Sequence, residues 1–255
     1  MARNKYKQIA EEAVILYNRP AFIEEDPISI PHLFSNKEDI EIAGFIAATI
    51  AWGQRKTILS NAKKWMQYMD NAPHDFLLHH GSADLKPFLG FVHRTFNGDD
   101  ALYFLHALSE IYKHKGGLET LFNEAYKEKG QMNEALGKVR DIFFSYPHML
   151  RTGKHFSDPR KGSAAKRLHM YLRWMVRRDD AGVDFGIWQH IPMHALMPPL
   201  DVHSGRVARK WGLLSRTTDD RKAVEELQKA LLEWDPKDPV KYDFALYGAG
   251  VNGMY

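Results

Sequence analysis

Lys166 opens a predicted helix inside Asp158–Arg178 (DPRKGSAAKRLHMYLRWMVRR), beside Arg160, Lys161 and Arg167. Clustered cations and the positive end of a helix dipole make an ammonium easier to deprotonate, and a neutral lysine amine is a nucleophile. The same pattern also fits an ordinary solvated lysine. Gly162, Ser163 and Ala164 just ahead are small, so another backbone such as a phosphate strand can approach the first-turn N–H groups. Further on, in PPLDVHSGRVARKWGLL (198–214), Asp201 stands where two prolines end one segment and a basic helix begins. A carboxylate there is held ionised by the helix dipole, and it is either a cap or a reactive group. His194, Asp201 and His203 are a weak candidate set for a metal, with no paired-histidine spacing to support them. Tyr171, Trp174, Phe185, Trp188 and Trp211 fit a core, and Phe185 with Trp188 also fits a lid over a pocket.

These residues sit in a chain of 255 residues, long enough for one large domain or two small ones. Its 44% hydrophobic and 26% charged content is that of a soluble globular protein. The absence of cysteine excludes disulfides, thiolate metal sites and cysteine nucleophiles, and fits a reducing compartment. MARNKYKQIAEEA reads as a polar helix rather than a signal peptide, and no run of about 18 apolar residues predicts a membrane span. The expected location is the cytoplasm. The net charge is only +3, yet Arg151–Arg216 holds 13 Lys or Arg against 5 Asp or Glu. Such a block fits either a surface facing a polyanion or a solvated face balanced within the fold.

Helical periodicity dominates. Ser35-Asn36-Lys37-Glu38 has the form of a capping box, followed by Ile42, Phe45, Ile46 and Ile50 at helical spacing. Ile58, Ala62, Trp65, Met66 and Met69 mark a second helix, and Asp100 is placed to cap a third. Further helices are predicted near 4–17, 117–128, 131–145, 164–178, 202–212 and 219–234. A last one near 239–248 is announced by Asp238-Pro239 and closed by Gly250. Ala165, Leu168, Leu172, Met175 and Val176 form the inward stripe of the helix that carries Lys166. Strand alternation is nearly absent, so the expected fold is all-α.

Three motifs taken together resemble the helix-hairpin-helix DNA glycosylase/AP-lyase superfamily, which includes endonuclease III and the 8-oxoguanine glycosylases. Gly-x-Ala-x-Lys at Gly162–Lys166 is similar to the family hairpin Gly-x-Gly-x-Lys. Pro-Leu-Asp-Val-His-x-x-Arg-Val resembles the downstream Val-Asp-x-His-x-x-Arg-Val. Ile50-Ala-Trp-Gly-Gln-Arg-Lys-Thr57 resembles a Leu-Ser-x-Gln-x-Thr turn, which puts Gln54 on the family glutamine. The matches keep the family order over roughly residues 40–210. The chain departs at Arg160-Lys161, where the family has an apolar residue and proline, at Ala164 in place of the second glycine, and in an insertion at 182–197. The departures suggest a divergent branch.

The resemblance implies two helical subdomains with a cleft between them: an N-terminal helix (1–36) packing with the C-terminal part, a bundle (37–160), the hairpin-like helix and insertion (161–200), and a C-terminal subdomain (201–255). It implies a base-excision repair glycosylase, with or without AP-lyase activity, that flips a damaged or mispaired base out of double-stranded DNA. Lys166 would attack the sugar carbon, and Asp201 would stabilise the positive sugar or activate the attacking group. Gln54 would fill the space left by the flipped base. Arg55, Arg160, Lys161, Gly162, Ala164, His203 and Arg206 would contact DNA, with Arg209 a further candidate for phosphate. No metal, cofactor or protein partner is implied. Two other readings stay open: a helix-hairpin-helix DNA-binding module without turnover, and an enzyme acting on a small phosphorylated ligand.

Overall fold

The computed structural model describes residues 2–252, with side chains over 5–250, so the outermost residues of the expected 1–36 and 201–255 segments lie outside the described residues. The described residues form α1 (Ala2–Tyr17), α2 (Lys37–Thr49), α3 (Arg55–Tyr68), α4 (Pro73–His79), α5 (Lys86–Leu89), α6 (Gly98–His114), α7 (Gly117–Lys129), α8 (Met132–Phe143), α9 (Lys166–Val176), α10 (Val202–Lys210), α11 (Arg221–Trp234) and α12 (Tyr242–Asn252). Among the described residues β pairing is limited to two isolated bridges, and the fold is all-α. No helix of the described residues is long and apolar enough to cross a membrane. The chain divides into two units: unit 1 comprises 1–24, 131–133 and 158–255, and unit 2 comprises 25–130 and 134–157.

Unit 2 is built around α2. Residues 39–49 of that helix are all buried, so it is enclosed on every side, as a central helix must be. α3, α4 and α7 pack on it. Glu41 is buried with it, and the Tyr112 hydroxyl donates to its carboxylate at 2.7 Å. Phe45, Phe104, Phe143 and Phe156 form a ring cluster with centroids 4.9–6.2 Å apart. α6 starts against the turn after α5 at a position only glycine can fill, because a Cβ on Gly98 would lie 2.3 Å from the Leu89 carbonyl oxygen.

Unit 1 joins the two ends of the sequence. α1 packs on α12, and α10 packs on α12 as well. The Tyr17 ring occupies the space a Cβ on Gly248 would need. The Tyr242 hydroxyl donates to Glu11, Lys7 Nζ donates to the Trp234 carbonyl, and Tyr6 stacks on Trp211. The predicted stripe of α9 is buried throughout, with Tyr171 and Trp174 added to it. The 182–197 insertion continues this core. Phe185 and Trp188 donate backbone N–H bonds to the Trp174 and Met175 carbonyls (2.8 and 2.9 Å), which extends the C-terminal end of α9. Trp188 is fully buried, edge-on to Tyr171 at 5.5 Å, so it is core and not a lid.

Four local expectations fail for identifiable reasons. α2 begins after Asn36, whose side chain makes no capping bond, so Ser35 forms no capping box. The cap of α6 is Asn97, and Asp100 is the reciprocal partner inside the first turn. Asp238 precedes a short 3₁₀ turn, Pro239–Lys241, and its carboxylate goes to Arg177 instead of a backbone N–H. α12 runs through Gly250 and ends at Asn252.

Candidate functional site

The hairpin before Lys166 is assembled by local polar groups. Asp158 caps a 3₁₀ turn at Pro159–Lys161, accepting from the Arg160 N–H at 3.0 Å. Gly162 follows with φ +88°, and the Ser163 hydroxyl accepts from the Ala165 N–H at 3.1 Å. The Arg221 N–H, at the start of α11, donates to the Gly162 carbonyl at 3.0 Å and fixes the turn against the rest of unit 1. Gly162 thus takes a left-handed backbone, which favours glycine. The second left-handed residue is Ala165 (φ +45°), the residue immediately before α9, and not Ala164. An alanine there costs about 1–2 kcal/mol. Lys166 comes next, as the first residue of α9.

Asp201 divides its two oxygens between two tasks. Oδ1 accepts from the His203 and Ser204 N–H groups at 2.9 and 3.0 Å, and the Ser204 hydroxyl donates back to it at 3.1 Å. The Asp201 N–H in turn donates to the Ser204 hydroxyl, which closes a capping box with serine in the reciprocal place. Oδ2 accepts from Lys166 Nζ at 2.5 Å. Burial pushes the Asp201 carboxyl up, but the Lys166 ammonium and the hydrogen bonds from Lys166 and Ser204 outweigh it and hold the group below the usual carboxylate range. The lysine and aspartate side chains are 43% and 31% exposed, so the pair lies at the solvent boundary. The sequence-predicted pair is therefore in contact, and Asp201 is a cap and a lysine partner at once.

Behind the pair lies an ionic network that the sequence motifs do not indicate. Arg173, on α9, donates to Asp243 and, at 3.2 Å, to Asp184. Arg177 meets Asp184, Asp238 and Asp179 at 3.0, 3.0 and 2.6 Å. Both guanidinium groups are buried beside the Phe244 ring. Burial opposes the Arg177 charge, and its three carboxylate neighbours overcome that and raise its pKa. Burial pushes Asp243 up to about 6 against the pull of Arg173 and Lys166, with Asp201 adding to the rise. Two cations of the basic block are thus internal structure. The signal for them was present: arginine within a buried stripe, and aspartate opening the apolar helix YDFALYGAG.

The remaining predicted residues fall into groups. Arg160 folds back on Asp158, Nε at 2.9 Å and Nη2 at 3.0 Å. Lys161 and Arg206 are exposed, and their side chains bond to no described residue. His203 is exposed with its Cβ against Gly250. Arg209 donates from Nε to the Arg216 carbonyl and from Nη2 to Asp219. Gln54 and Arg55 belong to unit 2. Gln54 is exposed at the N-cap of α3 with no capping bond from its side chain. Its turn is set by Gly53 (φ +102°), with the Arg94 side chain lying where a Cβ would stand. Trp52 is braced by His93, edge-on at 4.9 Å, and by His155, stacked at 5.6 Å. His194, Asp201 and His203 do not gather into a metal site: among the described residues no three His, Asp or Glu are so placed.

A family model described as a protein of unknown function, DUF2400, matches residues 26–252. No curated protein and no solved structure matches the chain.

Proposed function

We propose that this chain, which belongs to the DUF2400 family, is a DNA base-excision glycosylase with lyase chemistry, acting on a nucleotide flipped out of double-stranded DNA. The observation that carries the reading is the 2.5 Å contact between Lys166 Nζ and Asp201 Oδ2, made by residues on two different helices at positions that match the superfamily motifs.

Asp201 takes a proton from the Lys166 ammonium, and the freed amine attacks C1′ of the flipped nucleotide. The glycosidic C–N bond breaks and its electron pair leaves with the base, which takes up the proton held by Asp201 as it departs. The attacking nitrogen then carries two protons and a positive charge; it gives one proton to O4′ as the C1′–O4′ bond opens, and the protonated Schiff base remains. An ionised Asp201 also offsets the positive charge that builds on the sugar as the base leaves. Lys161, Arg206 and the Gly162–Ala164 turn would hold phosphates, and His203 would add a backbone contact.

The test is borohydride trapping on a panel of single-lesion duplexes carrying 8-oxoguanine, oxidised pyrimidines, uracil and alkylated bases. Trapping in the wild type and its loss in Lys166→Gln is the expected result. Base release that persists in Lys166→Gln makes the enzyme monofunctional. Salt-dependent DNA binding with neither trapping nor base release across the panel refutes the enzyme reading in favour of a binding module.

A further inference from the structure

We propose that Leu150, the first residue of a 3₁₀ helix at Leu150–His155 in unit 2, is a wedge that enters the stacked bases of duplex DNA, with Arg94 and Lys154 on the flanking phosphates. The inference rests on the reading of double-stranded DNA as the partner and not on the lyase chemistry.

Leu150 is 94% exposed, more than any other large apolar side chain among the described residues, and Met149 before it is 54% exposed. The chain behind this tip is closely fastened. Arg151 donates from Nη1 to Asn97 Oδ1 and Asp100 Oδ2, both at 2.9 Å, and from Nη2 to the Thr95 carbonyl at 2.7 Å. The Thr152 hydroxyl donates to Oδ1 of the fully buried Asp100 at 2.7 Å. Arg140 donates to the Gly153 and Phe156 carbonyls at 3.2 and 3.0 Å. His155 is buried, stacked on Trp52 and edge-on to Phe96. A leucine on a slack loop collapses onto nearby apolar surface; these anchors hold Leu150 out.

Charge around the tip is of one sign. Residues 92–97 and 146–157 contain Arg94, Arg151 and Lys154 and no Asp or Glu. Arg151 is taken up by the anchors. Arg94 and Lys154 are exposed and make no hydrogen bond or ion pair with a described residue. Lys154 stands four residues along the 3₁₀ helix, an axial distance of about 8 Å from Leu150. Arg94 precedes the Thr95 that Arg151 holds, and it has a left-handed backbone (φ +55°) with its side chain over Gly53.

An apolar side chain held out among exposed cations fits a polyanion with a stacked apolar interior. Duplex DNA takes such a wedge between two base pairs, unstacks the step and kinks there, while cations hold the phosphates on either side. A base step accepts a single side chain, whereas a bilayer surface or a protein partner is held by many. Pyrimidine–purine steps unstack most readily, so the wedge enters at TA or CA.

The test uses an undamaged duplex with 2-aminopurine beside a central TA step and a donor and an acceptor dye at its ends. Wild-type protein is expected to raise the 2-aminopurine fluorescence and shorten the end-to-end distance. Leu150→Ala, which trims a solvated side chain and leaves the fold intact, binds with the same salt dependence and loses both signals. Arg94→Ala combined with Lys154→Ala keeps the tip and lowers the slope of log K against log salt by about two. Wild-type binding without the fluorescence rise overturns the proposal, as does a Leu150→Ala protein that kinks the duplex like wild type. An unchanged salt slope in the double variant overturns the phosphate assignment. Sedimentation with phosphatidylglycerol vesicles that is lost in Leu150→Ala, with the duplex left stacked, assigns the tip to a membrane instead. Kinking without borohydride trapping on any lesion refutes the glycosylase reading and leaves the wedge standing; trapping by a protein that leaves the duplex stacked does the reverse.

Discussion

Replacing Asp201 with asparagine separates its two roles. Asparagine caps a helix about as well as aspartate, so the Oδ1 bonds to the His203 and Ser204 N–H groups survive. The bond that changes is Oδ2 to Lys166, which loses its charge. That ion pair is partly exposed, and solvent screening limits its worth to about 0–1 kcal/mol of stability. Asp201→Asn is therefore expected to stay within about 1 kcal/mol of wild type in urea unfolding at pH 7. Asp201→Ala loses the cap too and falls by a further ~0.5–2 kcal/mol. The chemistry responds on another scale, because removing one preorganised electrostatic group from a charged transition state costs about 10²–10³ in rate. Single-turnover base release on a lesion duplex that the wild type processes reads this out. The folded Asp201 carboxyl titrates below its unfolded value, so its stabilisation is complete above the unfolded value and is lost as pH falls on through the folded one. The wild type and Asp201→Asn unfolding energies should converge below about pH 4. An Asp201→Asn protein that releases base within about threefold of wild type would refute the catalytic role and leave Asp201 a cap alone.

Two further outcomes follow from buried charge. Arg177→Met leaves three aspartates without their shared cation, one of them fully sequestered, and should cost about 3–5 kcal/mol in urea unfolding. A loss under about 1 kcal/mol would show the network to be dispensable. His169, on α9, is buried with neither ring nitrogen bonded, and burial pushes its pKa down to about 3. Because the folded value is depressed, the unfolded chain takes up the proton first, and stability falls as pH drops from about 6.5. His169→Gln should remove one proton from the slope of unfolding free energy between about pH 6 and pH 4, and an unchanged slope would contradict the burial argument.

The helices were legible because their stripes obey a 3.6-residue period, and α9, α11 and α12 lie within a few residues of their predicted positions. Caps were legible only in part. Ser35, Asp100 and Asp238 each have the chemistry of a cap, but the sequence does not say which competing partner wins: Asn97 displaced Asp100, and Arg177 took Asp238. The insertion was unreadable for a related reason, since the backbone N–H groups of Phe185, Gly186 and Trp188 go to the end of α9 rather than to a neighbour in sequence. Periodicity cannot reveal that Lys166 meets Asp201, 35 residues away; only the family resemblance suggested it. The basic block misled in one respect, because Arg173 and Arg177 serve the interior and Arg209 is held by Asp219.

The pairing of α1 with α12 also orders events during synthesis. Glu11 and the Tyr242 it binds are separated by 231 residues, so at ribosomal speeds α1 waits about 10–50 s for its partner. Unit 2, translated in between, can consolidate first. Lys166, Asp201 and Asp243 emerge in that order, and α12 both packs on α1 and brings Asp243 to Arg173. A chain released before α12 would carry a finished unit 2 and leave α1 and α10 without the helix they share.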